Sequence, residues 1–242
     1  TPDGDFKILR AEASSSATKS GTPFWEVCRD SRVWALALLY AASFGMELTL
    51  DNFAALYFTD YFHLSLATAG VVASTFGMMN IFARALGGIV SDRCNKRWGL
   101  RGRAILLGTT VGCEGLAIML FSRMTALPLA IAAMMFAGLF VKMSNGANYA
   151  VVPFVNKRAI GAVAGIVGAG GNLGAVLAGF LFKSPNLTYP QAFLIIGGAI
   201  LAISLCALAV RFNETDESAA REEMAARLKQ ALAPIQAAVS GD

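Results

Sequence analysis

Six long apolar segments, separated by shorter polar ones, dominate the hydropathy pattern of this chain. Each can cross the hydrocarbon core of a membrane, about 30 Å thick, which takes roughly 20 helical residues. Lipid offers no partners to unpaired strand edges, so helices are the expected form. The predicted spans are residues 33–58, 67–90, 104–121, 126–152, 160–182 and 192–210. The pattern therefore predicts an all-α integral membrane protein with six transmembrane helices.

The polar segments at both ends divide the chain into three parts. Residues 1–32 are predicted to be a linker, residues 33–211 the six-helix unit, and residues 212–242 a tail. Glu217 and Arg221 in the tail have the i,i+4 spacing that supports a helix.

Composition and charge agree with this division. Apolar residues make up 56% of the chain and charged residues 15%, whereas a soluble domain carries about 25% charged residues. The net charge of +4 would suit a nucleic acid partner, but the positions of the charges exclude that function. Of 20 Lys and Arg residues, 16 lie in the end segments or after the second and fourth spans. Only Arg123 and Lys183 lie on the opposite side, so the positive-inside rule predicts cytoplasmic termini.

The sequence shows no pattern typical of an enzyme. Its four cysteines follow no metal or redox spacing. No nucleophile–base pair, metal cluster or phosphate-binding loop lies at membrane depth. We therefore expect no catalytic residues, no metal and no cofactor.

Arg84 lies deep in the second predicted span, among apolar and small residues. A guanidinium at the bilayer centre costs at least about 2.5 kcal/mol, and it does not escape by losing its proton. It must therefore face a water-filled cavity or a partner. One interpretation is an anion site, because the planar guanidinium matches planar oxyanions. The other is an ion pair with Glu47 or Glu114, and the residues alone leave both open.

The first span carries an aromatic and acidic stripe. Tyr40, Phe44, Glu47 and Asp51 are spaced i, i+4, i+7 and i+11, which places them on one helical face. Carboxylates have no favourable place against lipid, so we expect this stripe to line the same cavity as Arg84.

The fourth and fifth spans add small and polar residues. Six glycines fall within fourteen residues of the fifth span, at a cost of about 1 kcal/mol each relative to Ala. Close helix packing is one explanation. Gly170, Gly171 and Asn172 are in addition suited to the approach of a small substrate. Asn145 places a polar group at mid-depth in the fourth span.

The segment that follows the second span, Gly88 to Arg93, is similar to the Asp–Arg gate motif of the major facilitator superfamily. The similarity implies that Asp92, followed by Arg93, pairs across a helix interface and stabilises a closed gate. This motif indicates the fold and not the substrate.

Five further segments share a second similarity: YAASFG at 40–45, DN at 51–52, AR with GG at 83–88, VPFV at 152–155, and GAGGNLGA at 168–175. Together they resemble the nitrate/nitrite porter family of that superfamily, closest to its plant- or alga-like high-affinity members. The similarity extends over about residues 30–212. It implies that the chain is the C-terminal half of a twelve-helix major facilitator fold.

In that family one Arg from each half grips the anion, and a Tyr and a Phe of the seventh span lie beside it. The resemblance therefore assigns Arg84, Tyr40 and Phe44 to the substrate site, with residues 170–172 at the edge of the anion. The second Arg belongs to the N-terminal half. Lys142 departs from the neutral polar residue of the family pattern.

The function that the resemblance implies is transport of nitrate or nitrite by alternating access. Inward movement of an anion costs about 2.3 kcal/mol per 100 mV, so proton symport is expected, with Glu47 and Asp51 as candidate carriers. The expected partners are nitrate or nitrite, protons, membrane lipid, the N-terminal half and a small single-span accessory protein, without nucleic acid. The expected location is the plasma membrane.

Two alternatives remain open from the sequence. One is a major facilitator transporter for another small anion, such as phosphate or an organic acid. The other is a membrane module that senses a ligand or binds a partner without transporting.

Overall fold

The computed structural model describes residues 24–218 and 220–222, and all regular structure in these ranges is helical. Residues 1–23 of the predicted linker and 223–242 of the predicted tail lie outside the described residues. Three short 3-10 segments connect the helices: Met79–Ile81, Val152–Phe154 and Leu205–Ala209. The α-helices are α1 (Phe24–Arg29), α2 (Ser31–Phe62), α3 (Leu66–Met78), α4 (Ala83–Phe121), α5 (Leu127–Val151), α6 (Ile160–Lys183) and α7 (Tyr189–Ser204). Residues 214–218 and 220–222 of the tail are also helical.

Local side-chain chemistry sets the ends of the longest helices. The Asp30 carboxylate accepts the backbone N–H of Arg32 at 2.8 Å and caps α2. At the other end of α2, His63 takes a left-handed conformation with φ 57°. Gln191 accepts the backbone N–H of Thr188 at 2.9 Å and supports the start of α7.

In the part of the chain that the structure describes, five helical runs are long and apolar enough to span a membrane, and one of them, Leu66–Phe121, contains 56 residues. A straight helix of that length would measure about 84 Å, well beyond the hydrocarbon core. Gly99 divides it with φ 66° and ψ −161°. Arg103 then reaches back to Asp92 at 2.6 Å, although eleven residues of straight helix would separate them by about 16 Å. The run therefore turns back at Gly99 and supplies two of the six predicted spans.

Glycines set how closely the helices approach. α4 packs most extensively on α5 and on α7, while α2 packs on α6 and α5. A Cβ at Gly45 would lie 2.8 Å from the carbonyl carbon of Gly174, so α2 and α6 touch backbone to backbone. A Cβ at Gly115 would lie 2.7 Å from the Leu201 nitrogen, which brings α7 equally close to α4.

The two ends of the helical bundle differ in chemistry. At one end, called the basic end here, Arg32 contacts the Val155 carbonyl at 3.2 Å and Asp216 at 3.1 Å. The opposite end contains an aromatic cluster centred on Tyr57, and there the Tyr189 hydroxyl donates to Asp60 at 2.9 Å. The rings around Tyr57 belong to Phe58, Tyr61, Phe62, Phe121, Tyr189 and Phe193.

Large apolar side chains cover much of the outer surface. On α6, Leu173, Val176, Leu177 and Phe180 are each more than half exposed. Soluble monomers rarely expose continuous apolar surface of this kind. Together with the long apolar helices, this surface makes the chain a multi-pass membrane protein.

Candidate functional site

Glu47 is the centre of a buried group of charges between α2, α4 and α5. It is 3% exposed. Its Oε2 accepts from Arg84 Nη2 at 2.7 Å, and its Oε1 accepts from Lys142 Nζ at 3.0 Å. A buried carboxylate is tolerated only when cations and hydrogen-bond donors replace its lost water. Of the two partners left open by the sequence, Arg84 therefore pairs with Glu47 and not with Glu114.

Two amide side chains complete the surroundings of the Glu47 carboxylate. Asn80 donates to Oε1 at 2.9 Å, and Asn145 donates to Oε2. Ser43 donates to the Asn145 carbonyl oxygen at 2.8 Å, which turns the amide nitrogen of Asn145 towards Glu47. Each carboxylate oxygen thus receives two donors, and the ionised form of Glu47 is favoured.

The group has an excess of positive charge. Among the side chains joined by ion pairs, two cations, Arg84 and Lys142, face one carboxylate, Glu47, which leaves these three with a net charge of +1. The exposed Asp51 carboxylate lies outside these pairs but within electrostatic range of both cations. The cations differ in access, because the Lys142 side chain is 0% exposed and the Arg84 side chain is 38% exposed. The surplus charge is therefore presented through the guanidinium of Arg84.

Aromatic rings form the wall beside Arg84. Tyr40 and Phe44 stack with their centroids 4.9 Å apart and their planes inclined by 4°. Tyr149 meets Tyr40 edge-on at 5.1 Å. The Arg84 guanidinium carbon lies 6.0 Å from the Phe44 ring centroid, a distance at which a cation and a ring attract. A flat anion that reaches Arg84 would therefore lie next to flat aromatic surface.

The glycine-rich part of α6 packs directly against this wall. A Cβ at Gly171 would lie 2.7 Å from the Tyr40 ring and 2.8 Å from the Phe44 ring. A Cβ at Gly170 would lie 2.6 Å from the Ala37 carbonyl oxygen. The absence of side chains at these two positions lets α6 approach α2 and its aromatic pair.

The structure brings together most of the site residues predicted from the sequence. Tyr40, Phe44, Glu47, Arg84, Asn145 and Gly171 meet in one region. Asn172 is exposed, and its side chain donates to the Gly168 carbonyl of its own helix at 3.1 Å. Asp51 is exposed one helical turn beyond Glu47, and none of the ion pairs in the described ranges includes it.

Sequence reasoning missed three contributors to this site. Asn80 precedes Arg84 by four residues, and Ser43 precedes Glu47 by four, so helical spacing from the two charged residues could have identified both. The 3-10 segment Met79–Ile81 interrupts the helix at Asn80; such interruptions often mark functional positions. Lys142 stood out only as a departure from the family pattern, and the structure places its ammonium on Glu47.

The gate motif lies at the basic end. Asp92 pairs with Arg103 across the Gly99 turn at 2.6 Å, and Arg103 also donates to Ser91 at 3.2 Å. Arg93 is exposed. The residues of the pair also line a cavity of about 670 Å³ whose further lining includes Gly88, Lys96, Ala150, Pro153, Phe154, Lys157, Ile160 and Ala220.

Comparison with known proteins shows to which family the chain is related. The Major Facilitator Superfamily description matches residues 33–240. The chain is 37% identical to "High affinity nitrate transporter 2.5" of Arabidopsis thaliana over 84% of its own length and 41% of that protein. It is 35% identical to "Nitrate transporter 2.2" of Chlamydomonas reinhardtii, over 87% of this chain and 43% of that protein. It is 30% identical to "Nitrate/nitrite transporter NrtP" of Nostoc punctiforme, over 84% and 40%.

The chain spans about two fifths of the length of these curated relatives. No solved structure shows a significant match. The relatives confirm the resemblance to nitrate/nitrite porters that the sequence motifs predicted, and the helical spans confirm the all-α membrane fold. With the superfamily description matching most of its length, the chain belongs to the major facilitator superfamily.

Proposed function

We propose that this chain is the C-terminal half of a transporter for nitrate, with nitrite as a second substrate. The observation that carries the proposal is the charge group around Glu47. Its net charge of +1 is accessible through Arg84, beside the Tyr40–Phe44 stack. A planar monovalent oxyanion complements this arrangement in charge, in hydrogen-bond geometry and in shape. The names of the relatives agree with this substrate.

In the proposed mechanism the anion accepts hydrogen bonds from Arg84 while Glu47 holds the guanidinium on its other side. An Arg of the N-terminal half also binds the anion. The two halves then move as rigid bodies about the bound anion, which exposes it to one side of the membrane and then to the other. The pair of Asp92 and Arg103 stabilises one gate at the basic end, across the Gly99 turn. Because inward anion movement costs about 2.3 kcal/mol per 100 mV, coupling to protons supplies the driving force.

We further propose that the basic end faces the cytoplasm and that the protein functions in the plasma membrane. Arg32, the turn at Gly99 and the residues after Phe154 meet at this end, and the positive-inside rule assigns such segments to the cytoplasm. A small single-span accessory protein is a further proposed partner.

The direct test measures anion-dependent current and tracer nitrate uptake by the full-length protein in oocytes or proteoliposomes. We expect saturable nitrate uptake that nitrite inhibits and that phosphate or organic acids inhibit weakly. Preference for a tetrahedral or organic anion would instead establish the first alternative, a transporter for another small anion. Saturable nitrate binding without uptake would favour the sensor or partner-binding module.

The matched control is residues 1–242 alone in liposomes. We expect them not to transport, because half of the cavity and one anion-binding Arg are missing. Nitrate uptake by this chain alone would contradict the two-half mechanism.

A further inference from the structure

Glu114 is a carboxyl group that the anion site leaves unexplained. It lies in α4 after the Gly99 turn and is 0% exposed, and neither of its oxygens has a partner in normal hydrogen-bonding geometry among the residues that the structure describes. An ionised carboxylate in such surroundings would carry an effective desolvation penalty of several kcal/mol. The neutral, protonated carboxyl avoids that penalty and is the form that these surroundings favour.

The helices around Glu114 supply no charge that would compensate it. α5 carries one cation, Lys142, whose ammonium is engaged by Glu47 at 3.0 Å. α2 contributes Glu47 itself, whose negative charge opposes a second one. The only titratable side chain on α7 is Tyr189, which lies at the start of that helix.

A second buried polar group, the hydroxyl of Ser144, lies next to Glu114 and interacts with its carboxyl. Among the described residues, neither the hydroxyl oxygen nor the two carboxyl oxygens meet a partner at the distance and angle of a normal hydrogen bond. Two neighbouring buried groups without partners are unusual, since nearly all buried polar groups in proteins are paired. Within the described ranges this pair marks a second polar position behind the anion site.

The two acidic residues of the predicted stripe are less suited to proton binding. Glu47 would have to release one of its four donors to gain a proton, and it would then lose the charge that pairs with Arg84 and Lys142. Asp51 is exposed in this half. Of these three carboxyl groups, Glu114 is the one whose ionised form would cost the most free energy and whose neutral form costs the least.

We propose that Glu114, rather than Glu47 or Asp51, carries the coupled proton in this half. The inference rests on the proposed function. The carboxylate accepts a proton from water on one side of the membrane, the protonated carboxyl is buried as seen here, and the proton returns to water on the other side. The proton offsets the charge of the nitrate that moves with it, so the membrane potential opposes the loaded state less than it opposes the anion alone.

The test uses the full-length transporter in proteoliposomes and the substitution Glu114→Gln, which copies the shape of the neutral carboxyl but binds no proton. Two rates are measured: nitrate exchange at equal pH, and nitrate accumulation driven by an inward proton gradient. We expect exchange to remain within about twofold of wild type, while gradient-driven accumulation falls to its level without a gradient. Asp60→Asn, at an exposed carboxylate of α2, is the matched control and should keep both rates.

Normal gradient-driven accumulation by Glu114→Gln would overturn the proposal, because a neutral side chain would then suffice. If that variant does not reach the membrane, Glu114→Asp is used, which retains a carboxyl in altered surroundings. We then expect uptake to persist with a shifted pH profile, and an unchanged profile would overturn the proposal.

A spectroscopic readout separates this proposal from the proposed function. The infrared spectrum of the purified protein should contain a carbonyl band of a protonated carboxyl group, which the Glu114 variant lacks or shifts. Identical spectra would overturn a protonated Glu114, whatever the protein transports. Wild-type protein that shows this band but fails to transport nitrate would overturn the proposed function, and the coupling role with it.

Discussion

Two networks of ion pairs in this chain both join Arg or Lys to carboxylates, but they differ in how deeply their central residues are buried. At mid-membrane, the Glu47 and Lys142 side chains are 4% and 0% exposed. At the basic end, Arg32 pairs with Asp30 and Asp216, and all three side chains are 22–34% exposed. Water can replace a lost partner at the basic end but not at mid-membrane. The buried pair of Glu47 and Lys142 therefore depends on both members, whereas the network at the basic end is expected to tolerate the loss of one partner.

The difference also indicates where function lies. A charge inside the membrane is costly, so ion-paired side chains with one more cation than carboxylate provide a favourable position for an anion. The exposed pairs need no such explanation, because surface ion pairs typically contribute less than about 1 kcal/mol. Two substitutions test this comparison and a third tests the aromatic wall beside the buried group; they follow from the largest expected effect to the smallest.

Glu47→Gln should have the largest effect on stability. It leaves the buried Lys142 ammonium without its counter-ion, and breaking a buried pair typically costs about 3–5 kcal/mol. The measurement is thermal or denaturant unfolding of the purified protein in detergent. The double variant Glu47→Gln/Lys142→Met removes both charges and should recover most of the loss. Equal losses in the single and double variants would mean that the pair is not coupled.

Gly171→Leu should have an intermediate effect, directed at the site. Its Cβ would lie within 3 Å of the Tyr40 and Phe44 rings, and overpacking of this kind costs about 1–3 kcal/mol. We expect the variant to reach the membrane and to lose nitrate uptake because the aromatic wall is displaced. Gly198→Leu on α7, where a Cβ meets nothing within 4 Å, is the control and should transport normally. Retention or degradation of Gly171→Leu would favour a purely packing role.

Asp216→Asn should have the smallest effect. It removes one partner of Arg32 at the basic end, where Asp30 still contacts the guanidinium at 2.8 Å. The free energy of unfolding should change by less than about 1 kcal/mol, and the difference should shrink further at high salt. A loss as large as that of Glu47→Gln would remove the distinction between the two networks.

The sequence predicted the helices well because transmembrane length and apolarity are local properties. It also predicted the stripe of Tyr40, Phe44 and Glu47, since helical periodicity alone places them on one face. It did not predict that Gly99 by itself makes the turn between two spans, with helix continuing to within one residue on either side. That turn depends on a left-handed glycine, which hydropathy does not report.

The partners of Glu47 could not be derived in the same way. Arg84, Lys142 and Asn145 come from three separate spans, and their convergence depends on how α4 and α5 rotate against α2. Charge balance left two candidates for the ion-pair partner of Arg84, namely Glu47 and Glu114. The packing of the helices brings Glu47 to it. The lack of hydrogen-bond partners around Glu114 could not be predicted from the sequence either. It depends on which side chains the packed helices bring within hydrogen-bonding distance of that carboxyl.

The most direct test of an anion site at Arg84 is the half-saturating nitrate concentration of the full-length Arg84→Lys variant. Lys keeps the charge that pairs with Glu47 but loses the planar set of donors. Losing one charge-assisted hydrogen bond, worth about 1.5–3 kcal/mol, weakens binding by one to two orders of magnitude. We expect normal membrane expression with a half-saturating concentration raised by that factor. A value within about twofold of wild type, under about 0.5 kcal/mol, would show that Arg84 only balances Glu47.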